Sequence, residues 1–224
     1  MTSEMAPEIT SERTAAPERR FGRLNLALVG LTLLAGVSMS MGFIQLLAEP
    51  LETLSNLSVQ VLSLQATVLC TPLVISLLLV MREGPELVLC GHRLTRQTNL
   101  STWRLWREHA PLLLVTALVL VPYLLAAALV GAALTKPQIN GLQELQVLVG
   151  TLNPPILLGA LFKTPIFAGL IAWIMLQQGA MAQRYNVPTT VALSRAICIS
   201  IAILLALNLS LAMLFNPSLN GGNL

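Results

Sequence analysis

Five stretches of this 224-residue chain are long and apolar enough to cross a lipid bilayer, and they fix the solvent in which most of it folds. They cover residues 24–48, 57–81, 111–135, 154–176 and 191–215. A helix rising about 1.5 Å per residue needs about 20 apolar residues to cross about 30 Å of hydrocarbon, and each stretch meets that length. Gln60 and Gln65 in the second and Lys163 in the fourth make those two the weaker spans. The longest interval, 82–110, has room for 29 residues, too few for a folded soluble domain. Only 10% of the residues are charged against 55% hydrophobic, whereas a soluble domain carries about 25% charged. The fold class is therefore all-α, a polytopic membrane protein of about five transmembrane helices.

Charge placement orients the spans, because cytoplasmic segments retain Lys and Arg. Arg13, Arg19, Arg20 and Arg23 precede the first span, Arg82, Arg93, Arg96, Arg104 and Arg107 follow the second, and Arg184 and Arg195 surround the start of the fifth. Only Lys136 falls on the other side. Five crossings then put the N-terminus in the cytoplasm and the C-terminus outside. Residues 1–21, rich in Ser, Thr, Pro and Glu, are expected to form a disordered cytoplasmic tail, 22–216 the membrane domain and 217–224 a short external tail. The first span is too long for the apolar part of a cleaved signal peptide. Trp103, Trp106 and Trp173 all fall near the cytoplasmic interface, where an amphipathic indole is favoured. Ser101 is an N-cap candidate for the stretch STWRLWREHA, which reads either as a separate interfacial helix or as the wet first turns of the third span.

Several chemistries are excluded or unsupported. The ten acidic residues are all glutamate, so no Asp nucleophile or Asp metal ligand exists, and there is no GxxxxGK[ST] phosphate loop. Cys70, Cys90 and Cys198 lack CxxC or CxxH spacing and read as small buried hydrophobes. His92 and His109, in the basic interval, have no sequence-adjacent ligand set, so no metal is expected. Basic residues spread over several short intervals do not make a nucleic-acid face. No catalytic residues are assigned, and the chain is expected to bind no cofactor of its own.

Two features point inward. Lys163 is the one charge well inside an apolar run, and a charge at mid-membrane costs about 2.5–3.5 kcal/mol, so it should face a bundle interior, water or an elbow between half-helices, or snorkel outward. Pro155 and Pro165 flank it, making an interrupted helix the expectation there; Pro72 and Pro122 kink the second and third spans. Small residues at helical spacing, Ala127 with Gly131, Ala128 with Ala132, and Gly30 near Ala35 and Gly36, allow close packing, either within the chain or between two copies.

From Lys163 onward the sequence resembles the last two helices of MlaE-type permeases, the membrane subunits of lipid-transporting ABC systems. The likeness rests on Lys163, Phe167, Ala168, Gly169 and Ile171, then Gly179 at an expected cytoplasmic turn, then Ser194, Arg195, Ala196 and Ser200 at the start of the last helix. Upstream, MREGPELVLCG resembles the family's cytoplasmic coupling segment, with Leu87 and Gly91 on its Leu-x-x-x-Gly pattern and Glu83, Glu86 and Arg93 beside it. Glu83 and Glu86 stand near, not on, the family's acidic positions, and Pro85 lies between them. The resemblance implies a bacterial inner-membrane permease subunit that works as a dimer with a separate cytoplasmic ATPase, where ATP would bind, and an MCE-domain carrier, and that passes membrane lipid. A non-transporting accessory subunit of a larger inner-membrane complex is the competing reading.

Overall fold

A computed structural model of the chain describes residues 18–48, 50, 56–97, 102–135, 141–150 and 154–215. Six α-helices account for nearly all of them: α1 (Glu18–Ala48), α2 (Asn56–Gln97), α3 (Thr102–Leu134), α4 (Gly141–Gly150), α5 (Pro154–Arg184) and α6 (Thr189–Phe215). All but α4 are long and apolar enough to cross a membrane, so the chain is an all-α, multi-pass membrane protein. Large apolar side chains point outward along these helices, among them Leu26, Leu34, Phe162 and Leu209. Such surface would drive aggregation in water, whereas in a bilayer it meets acyl chains.

The helices are longer than the apolar runs that nucleate them. At 42 residues α2 is about 63 Å long, twice the hydrocarbon thickness, and α3 at 33 residues is about 50 Å long. The interval 82–110 is therefore not a loop. It consists of the continuation of α2, the opening turns of α3, and residues 98–101, which with Ser101 lie outside the described residues. STWRLWREHA contributes to one unbroken α3 from Thr102, so there is no separate interfacial helix among the described residues. Intrahelical hydrogen bonds continue past the hydrocarbon edge, and Pro85 and Pro111 are accommodated within the helices. Likewise α5 runs through Pro165 without a break, so the expected interruption is absent from 154–184. The extra helix is α4, beyond the far end of α3 and packed on it, with Leu148 fully buried. Residues 18–21, assigned to the N-terminal tail from sequence, are the first turn of α1, while 1–17 and 217–224 lie outside the described residues.

Specific contacts set the direction of each helix. Ser63 near the start of α2 donates to the Ser40 carbonyl of α1 at 3.4 Å, and Gln60 donates to the Ala132 carbonyl near the end of α3. At the opposite end of the bundle, Cys90 on α2 meets His109 on α3. The helices thus alternate in direction, with α1 and α3 parallel to each other and α2 parallel to α5. Glycines allow both parallel pairs to touch backbone to backbone. A Cβ built on Gly36 would lie 2.5 Å from the Leu124 carbonyl oxygen and 2.8 Å from the Ala127 methyl, and one on Gly131 would lie 3.0 Å from Val37. On the other pair, a Cβ on Gly91 would lie 2.5 Å from the Leu176 carbonyl oxygen, and Gly179 faces the Val88 carbonyl with no room for a side chain. The touching residues 36 with 127, 40 with 131, 84 with 175 and 88 with 179 are each 91 positions apart, so the α1–α2 and α3–α5 hairpins meet in one register. The face of Ala127, Ala128, Gly131 and Ala132 is thereby used inside the chain, while Gly30 borders open space.

A tight turn joins α5 to α6. Asn186 takes a left-handed φ of 50°, and the Val187 amide donates to the Ala182 carbonyl at 2.9 Å, the six-to-one bond of a Schellman ending. Pro188 then offers its carbonyl to the amides of Val191 and Ala192, starting α6. Gly179, expected at this turn, lies inside α5 at the α2 crossing; Asn186 supplies the left-handed residue instead.

Candidate functional site

The basic end of the bundle holds the first group of candidate residues. Glu83 and Arg82 are both partly buried, with 3.7 Å between carboxylate oxygen and Nε, a loose ion pair on adjacent residues. One turn on, Glu86 is exposed while Leu87 is buried in the common core, and Arg93 at the far side of Gly91 is exposed again. The segment has an apolar and glycine stripe against α5 and a charged stripe away from it: Gly84 rests on Met175, Gly91 on Leu176 and Ala180, and Val88 on Gly179. Because α2 and α5 share the most extensive helix contact in the molecule, anything pressing on Glu86 or Arg93 presses on α5 through backbone rather than through flexible side chains.

The second group lies toward the other end of α5. Pro155 is exposed in its first turn, Lys163 and Pro165 are partly buried, and Phe167 is fully buried in the common core. Thr164 is buried and donates its hydroxyl to the Ala160 carbonyl at 2.7 Å. Lys163 and Gly179 are 16 residues apart on one helix, about 24 Å, so the two groups are joined by α5 as a rod and not by direct contact. On α6, Ser194 and Arg195 are exposed in the second turn, and Ser200 turns its hydroxyl into the protein interior with no hydrogen-bond partner among the described residues.

Three features escaped sequence reasoning. The Cys90 sulfur lies 3.3 Å from His109 Nε2, tying the extension of α2 to that of α3 across 19 residues. The tryptophans form one cluster: Trp103 stacks on Trp106 at 4.9 Å, Trp173 meets Trp103 edge-on at 6.0 Å, and the Trp106 indole donates to the Gly169 carbonyl at 2.9 Å. Finally, Gln60, Ser63, Thr67 and Thr71 form a buried polar column down α2, whose threonines donate to carbonyls four residues back. The spacing of three, four and four residues in that column was readable from sequence as one helix face; the other two depend on how helices meet. Among the described residues no group of three or more His, Cys, Asp or Glu converges. What the arrangement offers is mechanical: an exposed charged stripe backed by a rigid crossing.

Residues 109–214 match the family model described as Permease MlaE. The second half of the chain is MlaE-like. The match takes in α3 from His109 onward, then α4, α5 and almost all of α6, and with them Lys163, Phe167, Ser194, Arg195 and Ser200. It supports a membrane permease subunit, in agreement with the resemblance read from Lys163 to Ser200. The MlaE-type match starts beyond α1 and α2, so the segment bearing Glu83, Glu86 and Gly91 lies outside it. No curated protein matches the chain.

Proposed function

We propose that this chain is the permease subunit of an ABC-type lipid transporter in a bacterial inner membrane. It would act as a dimer, take its energy from a separate cytoplasmic ATPase, and exchange phospholipid-class lipid with an MCE-type carrier outside. The family match over α3–α6 carries this reading. The end of α2 supports it: Glu86 and Arg93 are exposed and available to a partner, while Gly91 locks the same segment to α5. An ATPase bound to that charged stripe would move α2 and α5 together, and α5 bears Lys163, Pro165 and Phe167 of the lipid path. A two-state bundle biased from the cytoplasmic end needs such a connection. The N-terminus would face the cytoplasm and the C-terminus the outside.

Purification in mild detergent, with mass spectrometry of the accompanying chains and lipids, tests the assembly; an ATPase and an MCE-domain protein are expected. In the assembled complex, Glu86→Gln with Arg93→Gln should lower lipid-stimulated ATP hydrolysis at least about five-fold, the lower end of coupling energies near 1 kcal/mol. Unaltered assembly and turnover in that variant would point instead to an accessory subunit.

A further inference from the structure

All three tryptophans of the chain sit in one cluster at the basic end of the bundle, and two exposed arginines stand beside it. Trp103 is 54% exposed although stacked on Trp106 and touching Trp173, so an indole face is presented outward from a rigid base. That base is held by the bond from Trp106 to the Gly169 carbonyl. Arg104 and Arg107 are exposed within the first two turns of α3, with Arg107 one turn from Trp103, and neither makes an ion pair among the described residues. The nearby Glu108 is exposed too and lies one turn from Arg104, but no ion pair joins them among the described residues. His109 is engaged with Cys90. Two arginines against one glutamate leave a net positive charge at the start of a helix that has no acidic residue in its first turn, where the macrodipole disfavours positive charge. An anion bound there relieves that cost.

α3 also exceeds the hydrocarbon thickness by about 20 Å, which lets its opening turns reach the headgroup layer when the apolar run is in the membrane. An exposed indole at that depth lies along glycerol and upper acyl chain, and guanidinium groups one turn away form charge-assisted bonds to phosphate. We propose that Trp103, Arg104 and Arg107, on the base formed by Trp106 and Trp173, bind anionic phospholipid of the adjoining leaflet in preference to zwitterionic lipid. This is a fixed lateral lipid site on the outside of the bundle, separate from any transported lipid, and it stands whether or not the chain is a permease.

Because all the tryptophans lie in the cluster, their emission reports on this site alone. The full-length protein is reconstituted into phosphatidylcholine vesicles in which the same minor fraction of lipid is dibrominated phosphatidylglycerol or dibrominated phosphatidylcholine. Quenching titrations give the relative association constants. The glycerol lipid is expected to bind about five-fold more tightly or better, the increment of one to two arginines at a membrane surface. Arg104→Gln with Arg107→Gln should bring the ratio close to one while leaving quenching by the choline lipid unchanged. In the unaltered protein, salt near 1 M, where the Debye length is about 3 Å, should collapse the ratio as well, which keeps the test independent of how the variant folds. A ratio near one at low salt, a ratio that survives both changes, or emission that neither lipid quenches would each overturn the proposal.

Discussion

The α2–α5 crossing gives the sharpest quantitative expectation. A methyl group at Gly91 would start 2.5 Å from the Leu176 carbonyl oxygen and 3.3 Å from the Ala180 nitrogen. Ordinary contact needs about 3.5 Å, so α2 and α5 must separate by about 1 Å along a boundary that both helices bury. These neighbours are backbone atoms and cannot rotate away. Overpacking of this kind costs about 1–3 kcal/mol, and at about 2–4 °C per kcal/mol for a chain of this size Gly91→Ala should lower the melting temperature by about 2–12 °C. Gly36→Ala, with a carbonyl at the same distance on the α1–α3 crossing, should fall in the same range. Gly30→Ala and Gly159→Ala provide controls, since nothing lies within 4 Å of a methyl at either position; they should melt at or slightly above the parent temperature. Tryptophan emission is a fitting assay because Trp173 is on α5, within two turns of Gly179. Gly91→Ala combined with Gly179→Ala should cost less than the two changes separately, because the first already opens the shared crossing. If Gly91→Ala melts with the Gly30→Ala control, the close backbone approach is wrong, and so is its use as a mechanical link.

Ser200→Ala removes a buried hydroxyl that has no partner among the described residues, so thermal stability should hold or rise by up to about 1 kcal/mol; a clear loss of stability would mean that the hydroxyl is bonded. Labelling of single cysteines placed in residues 1–17 and 217–224 of a cysteine-free background should find the two ends on opposite faces of intact vesicles, and labelling on one face would refute the odd number of passes.

The apolar runs made the number of crossings legible because hydrocarbon thickness imposes a minimum length on each. They did not mark where helices end. Hydropathy falls at Arg82, yet α2 continues to Gln97, and it falls before Pro111, yet α3 begins at Thr102. What ends at those points is the apolar run, whereas the backbone bonds continue. α4 is ten residues long and cannot span, so a search for spans passes over it. The motif around Lys163, Phe167 and Ser194 was legible as a family resemblance, and the family match covers it. Its geometry was not. Proline at 165 suggests a broken helix because it removes one hydrogen bond, but a long helix packed on α2, α3 and α6 tolerates that loss. Gly91 and Gly179 were visible as glycines, but that they oppose each other's helices follows only from the crossing.

α2 is held by different forces at its two ends, and this bears on where the bundle can change shape. Near the basic end, α2 and α5 meet through glycine at van der Waals distance, with Leu87 and Val88 buried beside them. Such a contact is steep on both sides: compression meets backbone, and separation forfeits close packing that lipid tails cannot replace in kind. At the other end, α2 is joined to α1 and α3 by the Ser63 and Gln60 bonds, each at 3.4 Å, beyond the range of strong hydrogen bonds. Hydroxyl and amide groups there can exchange partners among themselves or with water at modest cost, and Thr67 and Thr71 already satisfy themselves on their own helix. A force applied at Glu86 and Arg93 would therefore move α2 and α5 as one body about the basic end and loosen the polar end first. On the proposed function, the bundle would open at the end remote from its ATPase.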